Sequence, residues 1–423
     1  MSIPHNDCVD GSLLTDELDP SLVYSTPPSV RLLSDILPED PLLMMGAGPV
    51  PIPDAVAHAN SVVINHLGST MSTIISQVKE MARYVFQTRS EWVLGVAGPG
   101  SSAMEMAICN LVRPDTKVLC IVNGFFSARM AEMSRRLGAN VVIHEVDGPH
   151  AARADEVEKE ILRHKPEVIT IVHGETSNTI LNRELPEIAR IAKQHGSLIV
   201  VDAVCTLSTT PLQMDDWHID AVITGGQKGL SSIPGVSLIA FSDDAWARVN
   251  ANASKVNTHW TLDAKLAENF WHKGGYHYTA PVSGVLALHE ALRLVCKETL
   301  PLRFTRHLRS SLALQHGIEA LGLTLFAPKP SRLNSVVGIN MPDSVTNNQV
   351  CSHISNRYRV EISGSFGLPI VRIGQMGEQC RAHNLFRTLH AFGSTMRDLG
   401  VDVNLSAAMA TLQFQMQDHS HLL

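Results

Sequence analysis

Lys228 stands in AVITGGQKGL (221–230), where an apolar run gives way to glycines and a lone lysine. A lysine beside an apolar strand can have its pKa lowered by burial, and the neutral amine is then a nucleophile able to form an imine with a carbonyl. Taken singly, a lysine is more often solvent-exposed. Asp202 closes the run Ile199-Val200-Val201, 26 positions before Lys228. A carboxylate there must find a partner or bear the cost of desolvation, either as a turn cap or as the partner of a ligand cation. Thr176 and Ser177 in HGETSNT (173–179) offer hydroxyls, and Glu175 just before them could cap or bridge. NGFFSAR (123–129) carries two phenylalanines that could both be core, or of which one could stack on a flat ring. GPGSSAMEMA (98–107) places Gly100, Ser101 and Ser102 before a helical stretch. The N-terminus of a helix offers free N–H groups and a partial positive charge, a ready anion site, although an ordinary serine-capped helix start is the plainer reading.

The elements that must hold these turns are legible from periodicity. Apolar strand candidates recur at 92–98, 117–124, 140–146, 167–174, 197–204, 220–226 and 236–242. Stretches with apolar residues three and four apart, at 101–112, 127–138, 154–165 and 185–196, predict helices between the earlier ones. Strand–helix alternation with continuous apolar strands implies an α/β fold, a mostly parallel sheet covered by helices on both faces. Such sheets bind ligands at the carboxyl ends of their strands, where all five turns lie. Beyond about residue 300 the texture shifts to a smaller α+β region: a long helix, short strands near SVVGINM and IVRIGQ, and a final helix after residue 378. The expected organisation is an N-terminal arm over 1–40, a large domain over 41–300 and a small C-terminal domain over 301–423.

The totals narrow the class. The chain of 423 residues has a net charge of −7, which argues against nucleic acid or an anionic membrane as the main partner. No apolar run reaches the 18 residues or more of a membrane span, and the acidic N-terminus lacks the apolar core of a signal peptide. Seven scattered cysteines without a C-x-x-C pair read as free thiols in a reducing compartment, cytoplasmic, with a peroxisome or other organelle left open. Cys205 near a strand end could be a nucleophile, but no base is evident beside it. The Walker A pattern and G-x-G-x-x-G are both absent, which weakens ATP and dinucleotide readings.

Together the turns change the odds for each one. Pyridoxal phosphate needs an anion cradle, a ring to stack on, a hydroxyl for its phenolic oxygen, a carboxylate for its pyridine nitrogen and a lysine. The five turns supply one of each, in chain order. The sequence resembles the class V aminotransferases of fold type I, most closely the alanine–glyoxylate and serine–glyoxylate group. The resemblance is carried by GAGPVPIP (46–53), YVFQTR (84–89), GPGSSAME (98–105), NGFFSAR (123–129), HGETSN (173–178), VDAV (201–204), GGQKGL (225–230), GGYHYTAP (274–281) and RIGQMG (372–377). It implies that Lys228 is the Schiff-base lysine and general base, and that Asp202 pairs with the pyridinium nitrogen. Thr176 would bond the phenolic oxygen, with Val204 and Phe126 packing on the two ring faces. Phenylalanine at 126 is a mild departure, since the family often has Trp or Tyr there. Gly100, Ser101 and Gln227 match the phosphate cradle. Tyr276 and Thr279 match the arm that the neighbouring subunit of a homodimer contributes. Arg372 matches the arginine that grips the substrate α-carboxylate, and Gly48 would bring backbone close to the substrate. The implied reaction moves an amino group from a small donor, alanine or serine type, to glyoxylate or pyruvate through a Lys228 aldimine and a pyridoxamine phosphate form.

Three other readings stay in view: pyridoxamine–pyruvate or ureidoglycine–glyoxylate transfer, a class V lyase or desulfurase, and a silent scaffold. A desulfurase needs a catalytic cysteine on a mobile loop, whereas Cys351 lies in QVCSHISN, which reads as a helix. Retention of the lysine, aspartate and arginine together speaks against a scaffold. His66 and Asn65 in INHLGS lie near the region that faces substrate in relatives, where His66 could gate the donor or serve structure alone.

Overall fold

The structure, a computed structural model, describes residues 25–253 and 259–417. Most of the expected arm (1–24), Cys8 and the terminal residues 418–423 lie outside the described residues. Residues 25–41 belong to a unit of their own, with no regular element apart from a 3₁₀ turn at Leu33–Asp35, and with Val30, Leu32, Leu33, Ile36 and Leu37 exposed. The second unit begins at Leu42. Among the described residues no helix is long and apolar enough to cross a membrane.

The main sheet has seven strands: β1 (Val93–Ala97), β2 (Lys117–Val122), β3 (Asn140–Glu145), β4 (Val168–Val172), β5 (Leu198–Asp202), β6 (Ala221–Gly225) and β7 (Val236–Phe241). Their spatial order is β1-β7-β6-β5-β4-β2-β3. Strands β2 to β6 are parallel, while β7 is antiparallel to both its neighbours, β6 and β1. Every residue of β4, β6 and β7 is buried, which is why these strands read as unbroken apolar runs: both faces are covered. Helices α1 (Gly100–Leu111), α2 (Phe125–Arg136), α3 (Ala154–His164) and α4 (Leu185–Gln194) fill the intervals. In α4 the buried set is Leu185, Ile188, Ala189, Ile191 and Ala192, the spacing of a helix with one face on the core.

A second apolar core gathers Ala313, Leu314, Ile318, Val337, Ile339, Val371, Ile373, Leu389 and Phe392 around a three-stranded antiparallel sheet of Val336–Asn340, Ile370–Gly374 and Ser363–Gly364. Cys351 lies on a helix, Asn347–Tyr358, as its sequence suggested. The C-terminal stretch differs from expectation: two helices, Ala382–Asp398 and Leu405–Met416, replace a single final one. The break falls at Gly400, whose φ of 82° is a left-handed conformation that glycine adopts without strain. The N-terminal edge of this unit joins the same core. Leu43–Met44 pairs with Val360–Glu361, and Met45 is wholly buried there. That pairing carries Ala47 and Gly48 toward the turn after β6.

Candidate active site

Eight of the predicted residues line one cavity of about 200 Å³ at the carboxyl ends of the parallel strands: Gly100, Ser101, Phe126, Thr176, Asp202, Val204, Gln227 and Lys228. They are more than 120 positions apart at the extremes and arrive on five turns. The sheet aligns those turns, and the helices that follow hold them.

Lys228 sits in the turn after β6. Its Nζ donates to the Ala47 carbonyl, so the lysine is held against the segment that leads to Gly48. Gly48 has φ of 99°, and a Cβ there would come within 2.5 Å of Lys228 Nζ, so both backbone and space require glycine. Burial lowers the Lys228 pKa below the usual lysine range, and the nearby Arg372 charge lowers it further, against the opposing effects of Cys205 and Asp202. The carbonyl of the next residue, Gly229, is pinned by Ser208 Oγ at 2.8 Å and by a terminal nitrogen of Arg303 at 2.6 Å. Arg303 is itself buried and paired with Glu298 at 2.8 Å. Sequence reasoning missed this brace, because 74 residues separate Gly229 from Arg303.

Asp202 closes β5, in register with Val172 and Ile223. Its Oδ1 accepts from Val204 N at 2.8 Å, so the turn-cap reading holds for one oxygen; no described residue donates to the other. Burial pushes its pKa up to about 7. Cys205 also lines the cavity, but burial pushes its thiol up to about 12 and it donates to the Gly174 carbonyl, which disposes of it as a nucleophile.

Glu175 caps and bridges at once. Its carboxylate accepts from Phe126 N, Ser127 N and Ser127 Oγ, fixing the start of α2, and from Ser177 N and Ser177 Oγ on its own turn. The two phenylalanines part company: Phe126 lines the cavity, and Phe125 is exposed and stacks on Phe366 at 4.2 Å between centroids. At the first turn the serine-cap expectation fails. Pro99 is the N-cap of α1, no side chain caps it, and Ser101 lies inside the first turn. The Ser101 hydroxyl instead accepts from Arg129 at 2.8 Å.

Arg372 is buried beside the cavity rather than in its lining. Its Nε donates to Gly364 O at 2.8 Å and a terminal nitrogen to Thr176 O at 2.7 Å, and its guanidinium faces the Phe366 ring at 5.6 Å. Burial lowers its pKa to about 10. Tyr276 and Thr279 are both exposed and lie outside this cavity. His66 packs edge-on against Tyr276 at 6.0 Å, and Asn65 accepts the Leu67 N–H in a turn. The residue missed at the cavity itself is Arg129, which follows Phe126 by three on α2 and was present in NGFFSAR.

The residues fit pyridoxal phosphate. Gly100 leaves a space that a Cβ would close, coming within 2.7 Å of Val204. Gln227 Oε1, buried at the cavity, has no hydrogen-bond partner. One oxygen of the buried Asp202 has no described donor, and Lys228 is the one lysine of the same lining.

The comparisons agree with this chemistry. The family described as aminotransferase class V matches residues 54–385. The chain is 32% identical over 364 residues to the alanine–glyoxylate aminotransferase of Oryctolagus cuniculus, covering 84% of this chain and 92% of that one. It is 28% identical to the crystal structure of ureidoglycine–glyoxylate aminotransferase from Bacillus subtilis, with a TM-score of 0.88 over 90% of this chain and all of that one. The crystal structure of pyridoxamine–pyruvate aminotransferase from Mesorhizobium loti shares the fold, with a TM-score of 0.85 at 23% identity over 90% of this chain and 98% of that one. The chain belongs to the class V aminotransferase family and is a pyridoxal-phosphate-dependent transaminase.

Proposed function

We propose that the chain transfers an amino group from a small donor of the alanine or serine type to glyoxylate or pyruvate. The observation that carries this reading is the convergence of one amine, Lys228, and one under-bonded carboxylate, Asp202, on a cavity flanked by Arg372. Lys228 would hold the cofactor covalently. Gly100, Ser101 and Gln227 would hold its phosphate, Thr176 its phenolic oxygen, and Val204 and Phe126 its two ring faces. When bound, the cofactor supplies an electron-withdrawing ring that acidifies the substrate α-carbon. Asp202 favours a protonated ring nitrogen by offering it a buried carboxylate. Arg372 binds the substrate carboxylate through two parallel N–H donors, and its fixing by Thr176 and Gly364 carbonyls sets that plane. Lys228 Nζ would take the α-proton and return it, and burial, which lowers its pKa, favours the neutral amine that this task needs. Gly48 keeps the space beside that amine clear for a substrate.

We further read the protein as a homodimer in which Tyr276 and Thr279 of the partner subunit complete the phosphate site; their exposure on this chain supports that. The arm at 1–40, a cofactor domain at 41–300 and a small domain at 301–423 remain our division of the chain, supported by the two separate apolar cores. The free cysteines among the described residues suit a reducing compartment such as the cytoplasm. A ureidoglycine donor is the second reading, favoured by the similarity to the Bacillus subtilis enzyme.

Borohydride treatment of the cofactor-loaded protein is expected to leave a covalent adduct on Lys228, and Lys228→Ala to abolish it. Failure to find that adduct in the wild-type protein sinks the reading. A panel of alanine, serine, glycine, aspartate, ureidoglycine and pyridoxamine against glyoxylate and pyruvate then identifies the donor.

A further inference from the structure

Arg129 lines the cavity and has no task in the reaction described above. Two other arginines of the same helix show what arginine ordinarily does there: Arg135 and Arg136 pair with Glu132 at 3.1 and 3.0 Å on the surface. Arg129 has no carboxylate partner among the described residues. One of its terminal nitrogens donates to Ser101 Oγ at 2.8 Å, and its guanidinium lies 4.9 Å from the centroid of Phe126 and 5.2 Å from that of Phe125. The cation is thus laid across two aromatic rings and aimed at the first turn of α1.

The hydrogen bond has a direction. Arginine can only donate, so Ser101 Oγ must accept, and the serine's own hydrogen is left to point elsewhere. No described residue takes it. The first turn of α1 has no side-chain cap: Ser102 N–H donates to the Pro99 carbonyl at 2.8 Å, while the Gly100 and Ser101 N–H groups have no described acceptor. A phosphate monoester carries close to two negative charges near neutrality, whereas a helix N-terminus offers only about half a positive one. The cavity lining holds two basic side chains, Lys228 and Arg129. The first is committed to the aldehyde end of the cofactor.

We propose that Arg129 is the cationic member of the phosphate cradle: it orients the Ser101 hydroxyl as a donor and balances the charge of the phosphate. This rests on the cofactor-binding reading above. It differs from a merely structural role, in which Arg129 would only brace Phe126.

The test compares pyridoxal phosphate with pyridoxal, which lacks the phosphate, by equilibrium binding to the cofactor-free protein. Arg129→Gln keeps a donor for Ser101 but removes the charge. It is expected to weaken pyridoxal phosphate roughly ten- to hundredfold, as for a lost charged hydrogen bond, and pyridoxal by less than about threefold. Arg129→Lys should recover most of the difference. Ser101→Ala should cost a smaller factor and be non-additive with Arg129→Gln. Inorganic phosphate should raise the thermal midpoint of the wild-type protein and not that of Arg129→Gln. Equal weakening of both ligands, or of neither, overturns the assignment. The wild-type borohydride adduct on Lys228 separates the two failures: its absence removes the cofactor reading, whereas its presence with an unchanged ligand ratio in Arg129→Gln removes only Arg129.

Discussion

Two buried carboxylates at adjacent strand ends are treated in opposite ways. Glu175, just beyond β4, is wholly buried and receives donors from three backbone amides and two hydroxyls, between 2.5 and 3.2 Å. Asp202, at the end of β5, is 4% exposed and receives one, at 2.8 Å. A saturated carboxylate is a building element: it joins two turns and fixes the helix that carries Phe126 and Arg129. A carboxylate left short of donors at similar burial is costly to the empty protein and is repaid only when a ligand supplies the missing hydrogen bond. The pair therefore separates architecture from chemistry within one corner of the sheet.

The comparison predicts different failures. Asp202→Asn should cut turnover a hundredfold or more, about 3 kcal/mol of transition-state stabilisation, while the protein still folds and binds cofactor; full activity would mean that the ring nitrogen is held by another group. Glu175→Gln should do the reverse, lowering unfolding stability by about 2–4 kcal/mol in denaturant titrations through lost charged hydrogen bonds, with a smaller effect on turnover. Arg372→Ala should raise KM for carboxylate substrates tenfold or more, about 1.4 kcal/mol, and an unchanged KM would remove its assigned role.

The smallest effect is a slope. The Asp202 carboxyl titrates at about 7 in the fold and at about 4 unfolded. Between those values the folded protein keeps a proton that the unfolded chain releases, so this group makes the cofactor-free protein less stable as pH rises, by up to about 1.4 kcal/mol per unit. His173 works against it: burial lowers its pKa to about 3, so its contribution to stability grows from there to about 6.5. The wild-type slope mixes the two. The difference between wild type and Asp202→Asn in thermal midpoint against pH isolates the aspartate. If that difference is flat from pH 4 to 7, Asp202 is not held as its burial implies.

Much of this corner was legible beforehand. The strands announced themselves because burial on both faces demands continuous apolar side chains, and the turns because glycines, serines and single charged residues followed each run. The orientation of β7 was less visible, since a strand's composition carries no direction. The ten residues from Gly226 to Gly235 were a signal, because a parallel return needs a crossover of about a dozen residues or more. Ser101 was read as a helix cap or as part of an anion site; the cap fails, and the partner of its hydroxyl lies 28 positions away.

Residue type and order along the chain sufficed to predict a mostly parallel α/β sheet, its ligand-bearing edge, and Lys228 and Asp202 as candidates on it, because each follows from chemistry within a few neighbouring positions; Arg372 stood out only through the resemblance of its motif to a family. Contact between distant segments was needed to saturate Glu175 and leave Asp202 short, to lock Gly229 through Arg303, to set Gly48 against Lys228, and to turn Arg129 onto Ser101. Those outcomes depend on which donors the folded chain brings within 3 Å of which acceptors, and no local pattern encodes such distances.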